Sequence, residues 1–143
     1  MISRFLNVLS EPIALSAIEN IAKYLPRAVK YGNDIEARTG VAYGNTIAGL
    51  TMQLTSTTAE HSMEHAMSAF HPTLPHGAGL IMISNEFYRF FIEKHACDER
   101  FIKMAKAMGI KDADKPEDFL TALYELQKAC GVDNLRMSDY GFT

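Results

Sequence analysis

Four of the five histidines of this 143-residue chain lie in one short stretch, HSMEHAMSAFHPTLPHG, over residues 61–77. Imidazole nitrogens are ligands for iron, zinc, nickel and copper. His61 and His65 are four residues apart, which places both side chains on one face of a helix. His76 lies between a proline and a glycine, in a segment that can fold back over that face. The spacing supports two hypotheses: a metal site, or a solvated histidine pair on a helix surface.

The pentapeptide HSMEH also fits a different chemistry, the H-x-x-E-H pattern of inverted zinc peptidases. In those enzymes both histidines bind zinc, and the glutamate, here Glu64, is the general base. A third ligand then comes from a separate helix, and Glu86, Glu93 and Asp98 are candidates by residue type. The peptidase pattern assigns no role to the adjoining HPTLPHG.

Composition indicates one domain with an apolar core. Hydrophobic residues make up 48% of the chain, and 14 basic against 17 acidic residues give a net charge of -3. No basic stripe with interleaved aromatic residues is present, which argues against nucleic acid as the partner. Cys97 and Cys130 are too few for a disulfide framework and do not form a CxxC pattern. A reduced, cytoplasmic location is therefore predicted.

One uncharged run, residues 39–59, is long enough to cross a bilayer. Asn45, Gln53 and several threonines make it too polar for a helix that faces lipid, and no targeting segment is apparent. Its small residues, such as Gly40 and Gly44, allow neighbouring helices to approach closely. The run is therefore predicted to be a central helix that is buried on all sides, and no membrane partner is expected.

The remaining sequence predicts an all-α fold, a helical bundle. Pro12 suits a first helical turn, and the apolar periodicity that follows it is predicted to end at Pro26. Two pairs with capping-box spacing precede predicted helices: Asn33 with Glu36, and Thr57 with Glu60. HPTLPHGAG is predicted to be a loop because it contains two prolines and two glycines. GLIMIS is the only candidate strand.

Three further helices are predicted toward the C-terminus. Residues 85–95 and 98–108 have helical patterns, with Gly109 as a stop signal. Pro116 opens the last helix. The predicted inner face of that helix consists of Phe119, Leu120, Leu123 and Leu126.

Longer strings in the sequence carry a resemblance to a known family. AEHSMEHAMSAFHPTLPHGAGLIMIS, with AKYLPRAVKYGNDIEARTGVAYGNTIAGLTMQLTSTT before it and LRMSDYG near the end, closely resembles the iron-containing alcohol dehydrogenase family. The resemblance covers nearly the whole chain and concerns the C-terminal, helical metal-binding domain of that family. Its most specific part is H-x-x-x-H-x-x-S-A-F-x-P-x-x-P-H-G, which is much harder to match by chance than H-x-x-E-H.

The resemblance implies roles for individual residues. His61 and His76 correspond to two of the four protein ligands of the catalytic metal. His65 corresponds to a histidine that lies beside the nicotinamide and the substrate and is not a ligand. Phe70 and His71 fall where the family lines its substrate pocket. Glu64 has no catalytic role in this family, in contrast to the peptidase hypothesis.

The resemblance also implies that parts of the family's architecture are absent from this sequence. No glycine-rich G-x-G-x-x-G turn and no βαβ alternation is found, so no nucleotide-binding domain is predicted. The other two metal ligands are expected upstream of residue 1. Residues 1–143 are therefore expected to form a single helical metal-binding domain that is truncated at both ends.

The complete enzyme implied by the resemblance uses iron or zinc together with NAD(P). It oxidises an alcohol to an aldehyde or ketone by hydride transfer. This chain alone is expected to hold neither cofactor tightly, and its expected partners are the small substrate and a nucleotide-binding half. Two alternatives stay open: a non-catalytic helical remnant of the family, and a zinc peptidase.

Association of copies is expected because a domain cut at both ends exposes apolar surface. The first helix is predicted to pack against a second copy in a homo-oligomer. The candidate surfaces are Ile2, Phe5, Leu6 and Leu9 near the start, and the aromatic run Phe87, Tyr88, Phe90 and Phe91.

Overall fold

A computed structural model describes residues 2–142, which form a bundle of six α-helices and one short 3₁₀ helix without any strand. The α-helices are α1 (Ser10–Lys30), α2 (Ile35–Leu54), α3 (Ala59–Phe70), α4 (His76–Glu93), α5 (Asp98–Ala107) and α6 (Glu117–Ala129). The 3₁₀ helix spans Met137–Tyr140. The predicted all-α helical bundle is confirmed. None of the helices within these residues has the length and apolar character needed to cross a membrane.

The first helix is longer than predicted. α1 continues through Pro26 to Lys30, so the predicted end at Pro26 is wrong. A proline removes one backbone donor and crowds the preceding turn, but contacts made beyond it can keep the chain helical. Here two N–H groups of Arg27 donate to Asp34 Oδ2 at 2.7 and 3.1 Å, which fixes the last turn of α1 against the start of α2.

The second helix is not buried on all sides, which corrects the prediction for residues 39–59. The buried residues of α2 are Ala37, Gly44 and Thr51, a narrow stripe with one residue every two turns. Tyr43 and Leu50 are about half exposed. The small residues do permit close approach, but only against α1 in an antiparallel hairpin. α2 therefore packs mainly on one neighbour instead of lying at the centre of the bundle.

The two helix starts with capping-box spacing differ from the prediction. The N-cap of α2 is Asp34 rather than Asn33, and its carboxylate accepts a hydrogen bond from the Ala37 N–H at 2.9 Å. The N-cap of α3 is Thr58, whose side chain makes no capping bond. Glu60, the predicted capping partner of Thr57, is buried instead.

α3 and α4 form a second antiparallel hairpin. The connecting loop covers only residues 71–75, because α4 already begins at His76 with Pro75 as its N-cap. The second half of HPTLPHGAG is therefore helical, and so is GLIMIS, the candidate strand. The prediction missed this because glycines are tolerated in a helix where neighbouring elements pack closely.

The main core lies between α4, α5 and α6. Its buried residues are Ile92, Phe101, Met104, Ala105, Ala113 and Phe119. Gly109 adopts a φ of +107° directly after α5, which confirms the predicted stop signal. Leu120 and Leu123 pack against this core beside Phe119, so the predicted inner face of α6 is correct at these positions.

The apolar start of the chain is not a helix. Residues 3–9 form turns before α1, with Leu6 buried and Phe5 and Leu9 more than half exposed. Within the aromatic run of α4, Phe87 is buried and Phe90 is exposed. Both candidate association surfaces are therefore smaller than predicted, since each includes residues that the fold already covers.

Candidate metal centre

The first two histidines lie on one face of α3. His61 and His65 are one helical turn apart, and their ring centroids are 6.4 Å apart with the ring planes at 84°. His61 is partly buried, whereas His65 is exposed. The helix therefore presents one sheltered and one open imidazole on the same side.

His76 comes from the next helix and completes a group of three rings. The loop of residues 71–75 reverses the chain, and α4 begins at His76 beside α3. The His76 ring centroid lies 5.4 Å from that of His61 and 5.5 Å from that of His65. We refer to His61, His65 and His76 as the imidazole cluster.

The spacing of the imidazole cluster fits a metal ion. Two imidazoles that share a tetrahedral metal, with metal–nitrogen distances near 2 Å, have ring centroids roughly 5 Å apart. His76 lies close to this distance from both His61 and His65, whereas the distance between His61 and His65 is larger. The donor set suits a divalent transition metal, with His76 as the member common to both short pairs.

A carboxylate adjoins the cluster from the protein side. Glu64 is fully buried; Ser68 Oγ donates to its Oε1, and His76 Nδ1 is hydrogen-bonded to its Oε2. The hydrogen bond from Ser68, and after it the contact with His76, hold the pKa of Glu64 below its usual value despite burial. Glu64, His65 and His76 each offer one possible ligand atom, and these atoms lie within 4.8 Å of one another. The site therefore contains an ionised carboxylate as well as imidazoles.

Gly79 provides the space for this carboxylate. A Cβ atom at Gly79 would lie 2.7 Å from Glu64 Cγ, which is closer than real Cβ contacts, and 3.2 Å from Leu74 Cδ2, which is a tight contact. Gly77, two residues earlier on the same helix, has no heavy atom within 4 Å of such a Cβ. α4 can therefore approach α3 at Glu64 only because residue 79 has no side chain.

His61 is the sheltered member of the cluster. Partial burial, together with the nearby charges of His76 and His65, lowers the pKa of His61 below its usual value. The neutral imidazole is the form that binds metals, so this environment favours the ligand state. His61 also borders a cavity of about 220 Å³, whose lining includes Ala17, Thr51, Glu60 and Tyr88.

Polar bonds hold α4 between α3 and α6. The Tyr88 hydroxyl donates to Glu60 Oε2 at 3.0 Å, and burial raises the pKa of both groups. On the other side of α4, Gln127 of α6 donates to Ser84 Oγ at 3.0 Å and accepts from Asn85 Nδ2 at 2.7 Å. These bonds fix the helix that carries His76.

Comparison with known proteins identifies the family. Residues 3–143 match the model of the Fe-containing alcohol dehydrogenase family, C-terminal. The chain belongs to this family. Its fold also agrees: an alcohol dehydrogenase from an archaeal halo-thermophile of a Red Sea brine pool matches with a TM-score of 0.91 and 30% identity, over 99% of this chain and 37% of that one.

Curated relatives from bacteria give the same result. The chain is 31% identical over 135 residues to the probable alcohol dehydrogenase EutG of Escherichia coli (strain K12), covering 94% of this chain and 33% of that protein. It is 26% identical to the 1,3-propanediol dehydrogenase of Klebsiella pneumoniae, covering 92% of this chain and 34% of that protein. The chain thus spans about a third of the length of these relatives.

The geometry disfavours the zinc peptidase. Among residues 2–142, Glu64 is the carboxylate grouped with imidazoles of the cluster at metal-binding distances, whereas the candidate third ligands of the peptidase, Glu86, Glu93 and Asp98, are not. The same group contains His65 and His76 but not His61. Glu64, the candidate general base, is fully buried and already bonded to Ser68 and His76. A carboxylate in that position is not accessible to a water molecule that it would have to activate. The local contacts therefore argue against the peptidase, in agreement with membership of the dehydrogenase family.

The two predicted substrate-pocket residues, Phe70 and His71, lie at the C-terminal end of α3 and are not part of the imidazole cluster. Phe70 is the last residue of α3 and is 85% exposed. His71 follows it, and its ring contacts that of Phe142 in a tilted arrangement with the centroids 3.7 Å apart. Among the ring contacts of residues 2–142, His71 pairs with Phe142 and not with the imidazole cluster.

Glu64, which has no predicted role in a dehydrogenase, is in contact with a cluster histidine, His76. One signal was available: Glu64 and Ser68 are four residues apart on α3, the spacing at which side chains meet. The contact with His76 depends on the close approach of α4 at Gly79, which no local pattern reveals.

Proposed function

We propose that this chain is the metal-binding part of a metal-dependent, NAD(P)-linked alcohol dehydrogenase. The reaction is hydride transfer between the carbon of a small alcohol and the nicotinamide, which gives an aldehyde or ketone. The observation that supports the proposal is the convergence of His61 and His76, from different helices, at a centroid distance of 5.4 Å that suits a shared metal. Membership of the family supplies the reaction class.

His61 and His76 would hold iron or zinc, which supplies Lewis acidity toward the alcohol oxygen. The resemblance assigns two further ligands, and the binding of NAD(P), to other parts of the complete enzyme. Two imidazoles are only half of a typical set of four, so the chain alone should bind the metal weakly. His61 is partly buried and borders the cavity of about 220 Å³.

His65 is proposed to act on the open side of the cluster. Its ring is exposed, and the resemblance assigns this position to a histidine beside the nicotinamide and the substrate rather than to a ligand, although its centroid distance of 5.5 Å from His76 would also suit a shared metal. There it can relay a proton or orient the nicotinamide, since an imidazole can both donate and accept a hydrogen bond. Phe70 and His71 are proposed to line the alcohol pocket, with Phe70 exposed and available for contact.

Substitution of the histidines in the complete enzyme tests this proposal. We expect His61→Ala to abolish alcohol-dependent formation of reduced nicotinamide and to deplete the bound metal. His65→Ala should lower kcat while leaving the metal content intact. Glu86→Ala, on an exposed face of α4, is the matched control and should keep full activity.

Two results would contradict the proposal. Full activity of His61→Ala would exclude His61 as a ligand. A complete enzyme with neither bound metal nor activity on any small alcohol would favour the alternative, a non-catalytic remnant of the family.

We further propose that copies of the chain associate. Phe5, Leu9 and Phe90 are each more than half exposed and provide apolar surface for such a contact. Sedimentation at micromolar concentration should show a homodimer or larger species. A concentration-independent monomer of 15.9 kDa would overturn this part of the proposal.

A further inference from the structure

We infer that Glu64 is a positioning residue for His76: its carboxylate accepts the Nδ1 proton, so that the free lone pair of the imidazole is on Nε2. The inference deepens the proposed function and rests on it for the assignment of His76 as a metal ligand. The hydrogen bond itself is a property of this chain alone, because both residues belong to the α3–α4 hairpin.

The direction of the hydrogen bond follows from the chemistry of the two groups. An ionised carboxylate can only accept hydrogen bonds, whereas a neutral imidazole has one donor nitrogen and one acceptor nitrogen. His76 Nδ1 is the nitrogen in contact with Glu64 Oε2, so it must carry the proton. Nε2 is then the nitrogen with the lone pair, which is the one available to a metal.

The surroundings hold the carboxylate in this role. Ser68 Oγ donates to Oε1, which leaves Oε2 for His76 and prevents free rotation of the carboxylate. The side chain of Glu64 is 0% exposed, so water does not compete for either oxygen. Gly79 leaves just enough room for the side chain to lie between the helices.

The burial of Glu64 is otherwise unexplained. An ionised carboxylate away from water is costly unless it is paired and hydrogen-bonded. Metal-binding histidines commonly donate their second ring N–H to a carboxylate, which fixes the tautomer and the ring orientation. The arrangement of Glu64 and His76 has this form, and it provides a reason for placing a charge at a helix interface.

The tautomer of His76 can be observed directly in the purified chain. Long-range ¹H–¹⁵N correlation spectra should be recorded at about pH 9, where an ordinary imidazole is neutral. We expect the Nδ1–H form for the wild-type chain. Glu64→Ala should change His76 to the Nε2–H form that solvated histidine favours, and Glu64→Gln should restore Nδ1–H because its amide oxygen can still accept.

An Nε2–H form of His76 in the wild-type chain would overturn the inference, and so would an unchanged tautomer in a folded Glu64→Ala variant. The wild-type spectrum decides the question even where the alanine variant does not fold. A structural role alone would leave the tautomer of a folded variant unaltered.

Metal titration supplies a second measurement on the same proteins. With Co²⁺ as the probe, Glu64→Ala should weaken binding by about 10–100-fold, the usual loss when such an outer carboxylate is removed. Glu64→Gln should lose clearly less, and equal affinities for wild type and Glu64→Ala would count against the inference. If the wild-type chain binds Co²⁺ or Zn²⁺ too weakly to titrate, two of the four ligands are insufficient on their own, and the tautomer still decides the role of Glu64.

Discussion

The hairpins α1–α2 and α3–α4 both bring two helices together at a glycine, but they place different groups against it. In the first, Gly40 of α2 faces the ring of Tyr24. In the second, Gly79 of α4 faces the side chain of Glu64, which ends in a carboxylate. The same absence of a side chain therefore makes room for an aromatic ring in one hairpin and for a buried charge in the other.

The α1–α2 hairpin therefore has a structural role, whereas the α3–α4 hairpin also holds the residues of the candidate metal site. The stripe of α2 that packs on α1 contains small and neutral side chains, so its stability depends on shape. The α3–α4 hairpin buries Glu60 and Glu64, which must keep their hydrogen-bond partners. Substitutions in the first hairpin should change stability alone, whereas those in the second should also change the site.

The largest effect is expected for Gly40→Ala. The new Cβ would lie 2.2 Å from Tyr24 Cδ2 and 2.4 Å from its Cγ, and the ring cannot move aside without shifting the helix contact. Overpacking of this kind costs about 1–3 kcal/mol, so the free energy of unfolding in urea should fall by that amount. The tautomer of His76 should not change.

Gly49→Ala is the matched control on the same helix, since no heavy atom lies within 4 Å of its Cβ position. Alanine is a better helix former than glycine by about 1 kcal/mol, so this variant should be as stable as wild type or more stable. A similar loss of stability for both variants would show that close approach at Gly40 is unimportant.

Gly79→Ala should have a smaller effect on stability and a distinct effect on the site. Its Cβ would meet Glu64 Cγ at 2.7 Å and Oε1 at 3.0 Å, contacts that a shift of the glutamate side chain can relieve. We expect a loss of about 1 kcal/mol, near the lower end for overpacking, and a weaker affinity for Co²⁺. Gly77→Ala, with open space around its Cβ, should leave the Co²⁺ affinity unchanged and should not lower the stability. An unaltered Co²⁺ affinity of Gly79→Ala would show that the absence of a side chain at residue 79 does not matter for the metal site.

The contrast between the hairpins also explains what the sequence could predict. The i,i+4 spacing of His61 and His65 is local, so their common face followed from the pattern. The start of α4 at His76 was missed because Gly77 and Gly79 are typical of loops, and the close packing of Gly79 against α3 is not visible in the local sequence. Likewise, the small residues of the uncharged run around Gly44 correctly predicted the close approach of a neighbouring helix. They did not indicate that this neighbour would be mainly α1.

A third test concerns the polar bond between α3 and α4. Tyr88→Phe would leave the Glu60 carboxylate without its hydrogen-bond donor at a partly dry site. We expect a decrease of about 1 kcal/mol in the free energy of unfolding, the lower end of the cost of an unsatisfied buried group, because the site is only partly dry. Glu60→Gln keeps an acceptor for Tyr88 and should be tolerated. Equal losses of stability in the two variants at neutral pH would show that the hydrogen bond between Tyr88 and Glu60 is not what stabilises this contact.

Glu60 also makes the free energy of unfolding depend on pH. Burial raises the pKa of Glu60 above its usual value of 4.5, so the folded chain binds more protons than the unfolded chain just above that pH. The free energy of unfolding should therefore decrease as the pH rises through this interval. Glu60→Gln should remove that part of the decrease, and an identical slope in the variant would contradict the assignment.

The smallest effect is expected at the turn of the first hairpin, where the charges are open to solvent. The hydrogen bond from the Ala37 N–H, and then those from Arg27, lower the pKa of Asp34 below its usual value of 3.8. The unfolded chain therefore binds more protons than the folded chain below pH 3.8, so the stabilisation is present above this value and is lost as the pH falls through the folded pKa. Asp34→Asn retains the N-cap but loses the ion pair, and its melting temperature should lie slightly below that of wild type at neutral pH and approach it in acid. A difference that stayed constant down to strongly acidic pH would show that the charge of Asp34 does not stabilise the hairpin.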